Sequence, residues 1–320
     1  MSIQAILPVV RLRFFFSVVA VCVLSVVFGS LQADSMAQED ARVVVSQLPV
    51  AVIPRRNSIL EEPAISALSA YVTDEQSGAV LYSKNATLQY APASVTKLMT
   101  ALVAEAEYKP GVILTIPTNL SSSAGSSSFS IGDQFVVEDI VAAALIQSSN
   151  EAAALLAESV DGGAEQFVDK MNDRAHELHL TATSFANATG FDHPQQKTTA
   201  RDVTLLAREV LKNPVFRRLV ATPNREFYTV SGEKRYLLTN TNQLLHSDPR
   251  ISGVKTGTTA EAGQVLVSKA TINGNTVLIT VLGSSDRYLD TLSLLDWLER
   301  SYAWEKPRIL HFSDTTSMLY

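Results

Sequence analysis

Cysteine is almost absent from this chain of 320 residues, which contains only Cys22. A single cysteine cannot form an internal disulfide, and the lack of CxxC pairs or Cys/His clusters excludes structural zinc and thiol redox pairs. Excess basic charge is also lacking, because the formal net charge is -6. Nucleic-acid-binding proteins normally present a basic stripe, so we expect no nucleic-acid partner.

Apolar residues, by contrast, are plentiful. They make up 46% of the chain, against 18% charged residues, which is the profile of a globular protein. A chain of this length can bury a substantial core in one or two domains without disulfide or metal staples. Composition therefore excludes several classes of protein but identifies no activity.

The amino terminus carries one long apolar run. Residues 14–31 contain no charge and follow Arg11 and Arg13, a pattern typical of a secretory signal. We predict a signal peptide over 1–37, with an uncleaved membrane anchor formed by 14–31 as the alternative. Either reading exports the remaining chain to the periplasm or the extracytoplasmic cell-wall space. Cleavage would also remove Cys22, leaving a mature protein without a thiol.

The chain after residue 37 divides into segments of different composition. Residues 38–63 hold three prolines and mixed charges, which predicts a linker. Residues 64–305 are predicted to form the folded domain, and 306–320 a tail. Strand-like runs lie near both ends of the domain, at 64–73, 79–84, 263–271 and 276–283. Helix-like segments lie at 95–107, 136–146, 151–159, 199–211 and 288–304. Thr199-Ala200-Arg201-Asp202 is a capping signal at the start of the fourth, and Asn273-Gly274-Asn275 predicts a hairpin turn between the last two strands. This order predicts one sheet built from both ends of the domain, with an inserted helical region.

The first cluster whose side chains could carry out catalysis is Ser94-Val95-Thr96-Lys97, at the start of a predicted helix. Residues three apart share a helix face, so the hydroxyl of Ser94 and the amine of Lys97 can meet. Serine is a poor nucleophile at neutral pH, whereas a lysine whose pKa is lowered by burial and nearby cations can accept its proton. The simpler alternative is that Ser94 only caps the helix.

Two further clusters are weak when taken singly. Ser148-Ser149-Asn150 interrupts two apolar helices and could be a capping turn, and Lys255-Thr256-Gly257 could be an edge-strand lysine beside a glycine bend. In combination, the three clusters follow the order SxxK, SxN and KTG. That order is found in serine penicillin-binding enzymes.

The sequence around these clusters resembles the D-alanyl-D-alanine carboxypeptidase family of low-molecular-mass penicillin-binding proteins. The resemblance extends from about residue 65 to 304 and is carried by PASVTKLMT at 92–100, FANATG at 185–190, NTN at 240–242 and GVKTG at 253–257. It implies an α/β (α+β) fold of the β-lactamase/transpeptidase-like type. In that fold an antiparallel sheet is flanked by helices and lies beside a mainly helical subdomain.

The resemblance also implies catalytic roles. Ser94 would attack the penultimate D-alanine carbonyl of a peptidoglycan stem peptide ending in D-Ala-D-Ala, with Lys97 as general base. Ser148 would relay a proton to the leaving amine, and Asn150 would orient Lys97. Lys255 would supply positive charge near the substrate carboxylate and keep Lys97 partly deprotonated.

Further residues are implied for substrate binding. Thr256 and Gly257 belong to the KTG triplet, and the backbone N–H groups of Ser94 and Thr258 would form the oxyanion hole. Arg287 is a candidate for the terminal carboxylate, with a solvated helix-start arginine as the alternative. We expect β-lactam antibiotics to inhibit the enzyme, and we expect no metal or cofactor.

Several activities remain open from the sequence. A D-Ala-D-Ala carboxypeptidase is the leading hypothesis, and a DD-endopeptidase that cleaves crosslinks is the main alternative, favoured by the short stretch after residue 304. A β-lactamase is less favoured because Ser149 replaces the acidic residue of the S-D-N form and only Glu177 has a suitable context for deacylation. His176 and His179 are assigned to a solvated helix face, since HExxH is absent. A non-catalytic wall-binding module is disfavoured by the intact set of site residues.

Overall fold

The computed structural model describes residues 52–118, 120 and 129–305. The strands, in chain order, are β1 (Ile53–Arg56), β2 (Ser69–Asp74), β3 (Val80–Lys84), β4 (Ile113–Thr115), β5 (Gln134–Val136), β6 (Asn224–Tyr228), β7 (Arg235–Thr239), β8 (Ile251–Thr259), β9 (Gly263–Ile272), β10 (Asn275–Ser284) and β11 (Tyr302–Glu305). The helices are α1 (Lys97–Glu107), α2 (Val137–Ile146), α3 (Asn150–Glu158), α4 (Gly163–Glu177), α5 (Ala200–Val210), α6 (Pro214–Val220), α7 (Leu244–Ser247) and α8 (Arg287–Ser301).

The main sheet has five antiparallel strands in the order β3-β2-β10-β9-β8. Strands from the start of the domain therefore pair with strands from its end, which confirms the predicted sheet. Neighbouring residues of β10 face opposite sides, as strand geometry requires. Leu278 packs in the core that contains Leu206 of α5, and Ile279 packs in the core that contains Leu294 of α8. Both faces of the sheet are thus covered by helices, as the resemblance implied.

The inserted region between β3 and β8 is mainly helical. Its core contains runs of alanine in α2 and α3, including Ala142, Ala143 and Ala152, all fully buried. Small side chains let these helices approach closely, so the turn between them can reach the edge of α1. Thr199 caps α5 by accepting a hydrogen bond from the backbone N–H of Asp202, as the sequence predicted.

The described part of the predicted linker departs from expectation. Strand β1 lies inside 38–63 and pairs antiparallel with β11, placing Pro54 opposite Trp304. Proline is tolerated there because this two-stranded ribbon has free edges, where a backbone N–H is not needed. Trp304 also donates from Nε1 to Asp74 Oδ2 at 2.9 Å. The last predicted helix, 288–304, accordingly ends at Ser301, and its final residues form β11.

The predictions for 1–37, for most of the linker and for the tail 306–320 lie outside the described residues, as does most of the serine-rich segment 121–130. No helix within 52–118 or 129–305 combines the length and the apolar content that crossing a bilayer requires. The signal peptide, the anchor and the tail stay predictions.

Candidate active site

Ser94 lies in a short 3-10 turn, Ala93–Thr96, that leads directly into α1. Its side chain caps neither element, so the capping alternative is wrong. The Oγ atom of Ser94 instead lies 2.9 Å from Nζ of Lys97, the first residue of α1. The helical spacing of three residues brings the hydroxyl and the amine together, as the sequence predicted.

Lys97 is completely buried, yet its amine has three oxygen partners. Besides Ser94 Oγ, Nζ contacts Asn150 Oδ1 at 2.7 Å and the backbone carbonyl oxygen of Thr189. All three partners are neutral groups. The site therefore satisfies the hydrogen-bonding capacity of the amine without offering it a compensating negative charge.

The pKa of Lys97 lies well below its ordinary value, mainly because the amine is buried and to a smaller extent because Lys255 is positively charged. The pKa of Lys255 is lowered to about 7, mainly because this amine is also buried and to a smaller extent because Arg287 is positively charged. No carboxylate among the described residues contributes to either shift. Burial and the charge of Lys255 therefore both favour the neutral form of the Lys97 amine over its charged form.

The turn between α2 and α3 carries the second cluster. Ser149 is the cap of α3, since its Oγ accepts from the backbone N–H of Ala152 at 3.1 Å. Asn150 begins α3 and reaches Lys97, while Ser148 occupies the left-handed region with φ of 61°. The capping interpretation therefore holds for Ser149, whereas Asn150 of the same turn contacts Lys97. The catalytic roles of Ser148 and Asn150 stay predictions.

Strand β8 supplies the third cluster and forms one edge of the main sheet. Lys255 lies in the middle of the strand, not at its start, and is buried, with Nζ 3.1 Å from Thr256 O. At Gly257, an added Cβ would come within 2.8 Å of the backbone nitrogen of Ser94. Glycine therefore lets β8 pack directly against the nucleophile's backbone. The next residue, the exposed Thr258, follows at the open end of this contact.

Arg287 is the first residue of α8 and does not extend freely into solvent. Its Nη1 donates to the carbonyl oxygens of Gly257 at 2.7 Å and Val265 at 3.3 Å, and its guanidinium lies 5.4 Å from the ring centroid of Tyr288. The alternative of a solvated arginine is wrong. Binding of a substrate carboxylate by Arg287 stays a prediction.

Sequence reasoning assigned no role to three residues that contact the site. The carbonyl oxygen of Thr189 binds Lys97, and the only earlier signal was the FANATG match. Gly190 has φ of 91°, and an added Cβ would lie 2.1 Å from Ala93 O. Thr241, in the NTN match, places its hydroxyl 2.6 Å from that of Thr256.

Other candidate residues lie elsewhere. Glu177 pairs with Arg174 at 2.7 Å and its side chain is 64% exposed, so it cannot serve as a buried deacylating base. Helix α4 ends at Glu177, so His176 and His179 do not share a helix, contrary to expectation. Among the residues that the structure describes, no group of His, Cys, Asp or Glu could hold a metal ion.

Comparisons with known proteins agree with this geometry. The family model of D-alanyl-D-alanine carboxypeptidase matches residues 56–286. The chain is 33% identical over 250 residues to the D-alanyl-D-alanine carboxypeptidase DacF of Bacillus subtilis, covering 75% of this chain and 64% of that protein. It is 34% identical over 253 residues to a D-alanyl-D-alanine endopeptidase of Pseudomonas aeruginosa, covering 77% of this chain and 81% of that protein.

A solved structure shows the same architecture. The Streptomyces K15 DD-transpeptidase superposes with a TM-score of 0.70 at 30% sequence identity, covering 75% of this chain and 99% of that one. The chain spans less than two thirds of the Bacillus carboxypeptidase but nearly all of the Streptomyces enzyme. Fold, motif order and the Ser94–Lys97–Asn150 cluster agree with the family match, and the chain belongs to the D-alanyl-D-alanine carboxypeptidase family.

Proposed function

We infer that this protein is a serine-type D-Ala-D-Ala carboxypeptidase, which removes the terminal D-alanine of peptidoglycan stem peptides through an acyl-enzyme. The observation that carries the inference is the buried amine of Lys97, 2.9 Å from Ser94 Oγ, with a lowered pKa. A lysine kept neutral in this position is a general base for a serine nucleophile.

In the acylation step, Ser94 Oγ attacks the carbonyl carbon of the penultimate D-alanine while its proton moves to Nζ of Lys97. The carbonyl oxygen becomes negatively charged and is bound by the backbone N–H groups of Ser94 and Thr258. Support for this hole comes from the close packing of Gly257 against Ser94 N, which brings the strand to the nucleophile. Asn150 holds Lys97 during the transfer.

Collapse of the intermediate breaks the peptide C–N bond. The leaving nitrogen takes up a proton through Ser148, so that D-alanine departs as a neutral amine and Ser94 carries the acyl group. Water then attacks the ester, loses its proton to the base and restores the Ser94 hydroxyl. A β-lactam presents a similar carbonyl and a carboxylate, and we expect it to acylate the same serine.

The terminal carboxylate of the substrate requires a cationic end of the cleft. Lys255, the hydroxyl of Thr256 and Arg287 cluster around β8, and Arg287 is anchored to the carbonyl of Gly257. Bringing a carboxylate beside Lys255 raises its pKa, so substrate binding would favour the charged form of this lysine.

Cleavage of crosslinks is the second candidate. The endopeptidase relative from Pseudomonas aeruginosa is matched over 81% of its length, more than the Bacillus carboxypeptidase. Incubating the protein with a pentapeptide and with purified crosslinked dimers distinguishes the two. Free D-alanine from the pentapeptide supports the carboxypeptidase, and cleavage of dimers without such release supports the endopeptidase.

The nucleophile is tested by covalent labelling with a fluorescent penicillin. Wild type should form a stable labelled band, and Ser94→Ala should lose it. Ser83→Ala, an exposed serine of β3, is the matched control and should label like wild type. Equal labelling of Ser94→Ala and wild type would refute the site assignment.

Export is proposed from the sequence alone. The apolar run 14–31 after two arginines supports secretion, with the catalytic domain acting in the extracytoplasmic cell-wall space and 14–31 as its possible membrane tether. Mass spectrometry of the exported protein is the test. A mature amino terminus near residue 38 supports a cleaved signal, and an intact terminus in the membrane fraction supports the anchor.

A further inference from the structure

The amine of Lys97 must aim its lone pair at Ser94 to act as a base. A neutral amine has two N–H donors and one lone pair. Asn150 Oδ1 and Thr189 O are carbonyl oxygens and can only accept, so together they take both N–H groups. The lone pair is then left for the third partner, the hydroxyl of Ser94. The direction of the Thr189 carbonyl therefore helps decide where the base points.

One side chain shapes the backbone around that carbonyl. In the 186–191 loop, Asn187 Oδ1 accepts from the backbone N–H groups of Gly190 at 2.8 Å and Phe191 at 3.1 Å. It also accepts from Thr189 Oγ1 at 2.9 Å, while Asn187 Nδ2 donates to Phe191 O at 3.1 Å. Asn187 thus binds the chain on both sides of the Thr189 carbonyl.

Asn187 is itself held by Gln196, which is 1% exposed. Gln196 Oε1 accepts from the backbone N–H groups of Ala186 at 2.8 Å and Asn187 at 3.0 Å, and its Nε2 donates to Asn187 Oδ1 at 3.2 Å. On the other side of the loop, Thr100 Oγ1 of α1 donates to Ala188 O at 2.6 Å.

We propose that Gln196 is a positioning residue for catalysis: through Asn187 it fixes the direction of the Thr189 carbonyl and so aims the lone pair of Lys97 at Ser94. Gln196 has no hydrogen bond to Ser94, Lys97 or Asn150. Besides its bonds to the loop, its Nε2 donates to Thr96 Oγ1 at 3.5 Å. This inference rests on the proposed function, because it requires Lys97 to be the base that activates Ser94.

The proposal has a signature in the pH dependence of acylation. The neighbours of Lys97 are the neutral Ser94, Asn150 and Thr189, and the cation that acts on it is Lys255. A carbonyl acceptor stabilises the charged ammonium more than the neutral amine. Misdirecting the Thr189 carbonyl should therefore lower the pKa of Lys97 further and move the acid limb of the acylation profile to lower pH.

The experiment compares Gln196→Ala with Gln195→Ala, its exposed neighbour. The second-order rate constant for acylation by a fluorescent penicillin is measured across pH on the full chain. We expect Gln196→Ala to lose at least about tenfold of the plateau rate, because small misplacements of catalytic groups are costly, and to shift the acid limb downward. Gln195→Ala should match wild type in both.

Two results would overturn the proposal: a Gln196→Ala profile equal to wild type, or a lower plateau with an unmoved acid limb, as a smaller folded fraction would produce. If Gln196→Ala does not fold, Gln196→Glu decides, since it keeps the acceptor for the two backbone N–H groups and loses the Nε2 donor to Asn187, Phe191 and Thr96. A wild-type plateau rate in Gln196→Glu would overturn the proposal. A wild-type protein that penicillin does not label would instead refute the proposed function.

Discussion

Two buried ionisable groups in this molecule, Lys97 and Asp290, have contrasting surroundings. Lys97 has neutral oxygen partners and the cation of Lys255 as its charged neighbour. Asp290, in the first turn of α8, is 4% exposed and has a complete set of donors. Lys97 lies where its charged form is disfavoured, whereas the carboxyl oxygens of Asp290 are fully hydrogen-bonded.

The carboxylate of Asp290 ties the beginning of the domain to its end. Its oxygens accept from the backbone N–H groups of Ser66 and Ala67, each at 2.8 Å, and from the hydroxyls of Ser66 at 2.8 Å and Ser284 at 2.6 Å. The position near a helix N-terminus also favours negative charge. Removing this group should harm folding, whereas removing Lys97 should harm chemistry. A buried group with a perturbed pKa and no counter-charge, such as Lys97, marks a candidate site. The buried carboxyl of Asp290, bonded to backbone and hydroxyl donors from both ends of the domain, marks a structural contact.

The largest expected effect is the loss of acylation rate in Lys97→Met. We expect acylation by penicillin to fall by about 10²–10⁴-fold, the usual contribution of a general base. Stability should fall by no more than about 1–3 kcal/mol, because methionine fills the space of the desolvated amine but leaves Asn150 Oδ1 and Thr189 O without their donor. Stopped-flow acylation and urea denaturation measure the two effects. A variant that acylates normally would remove Lys97 from its role.

Asp290→Ala should give the opposite pattern. Four donors would lose their acceptor, and we expect the free energy of unfolding to fall by about 3–5 kcal/mol. Asp296→Ala, on the same helix but 55% exposed, is the control and should cost less than about 1 kcal/mol. The folded fraction of Asp290→Ala should still acylate at the wild-type rate. Equal stability of the two variants would contradict the structural role of Asp290.

Gly190→Ala should act on the site through backbone packing. The new Cβ would collide with Ala93 O beside the nucleophile, and we expect acylation to fall by about 10- to 100-fold. Gly111 has a similar positive φ of 79° but open space around it. Gly111→Ala should therefore share the conformational strain, about 1 kcal/mol, and keep its acylation rate. Similar rates in the two variants would argue against the packing effect.

The smallest of these expected effects is a shift of the pH profile of acylation in Lys255→Gln. The charge of Lys255 lowers the pKa of Lys97, so its removal should raise that pKa. The neutral fraction of Lys97 then falls at any given pH, and the acid limb should move upward by on the order of one pH unit. Lys269→Gln, which breaks only an ion pair with Glu75, is the control. A downward movement of the limb in Lys255→Gln would contradict the sign of the coupling.

Much of the fold could be predicted because its signals are local. Alternating apolar residues and the Asn273-Gly274-Asn275 turn predicted β9 and β10, and Thr199 marked the start of α5. The secondary-structure predictions were wrong where a segment's conformation depends on pairing with a segment far away in the chain. The prolines of 38–63 indicated a linker, but β1 pairs with β11, nearly the whole domain later in the chain. Contacts of that sequence separation leave no periodic signal in either segment.

The sequence by itself determined the motif order and the pairing of Ser94 with Lys97, since residues three apart on a helix meet whatever surrounds them. Only the tertiary structure decided that Lys97 is buried without a counter-charge, that Arg287 is anchored to β8 and that Thr189 O completes the site. Burial and long-range electrostatics are properties of packing. A backbone carbonyl is present in every residue, so its role is visible only when folding directs it at a partner.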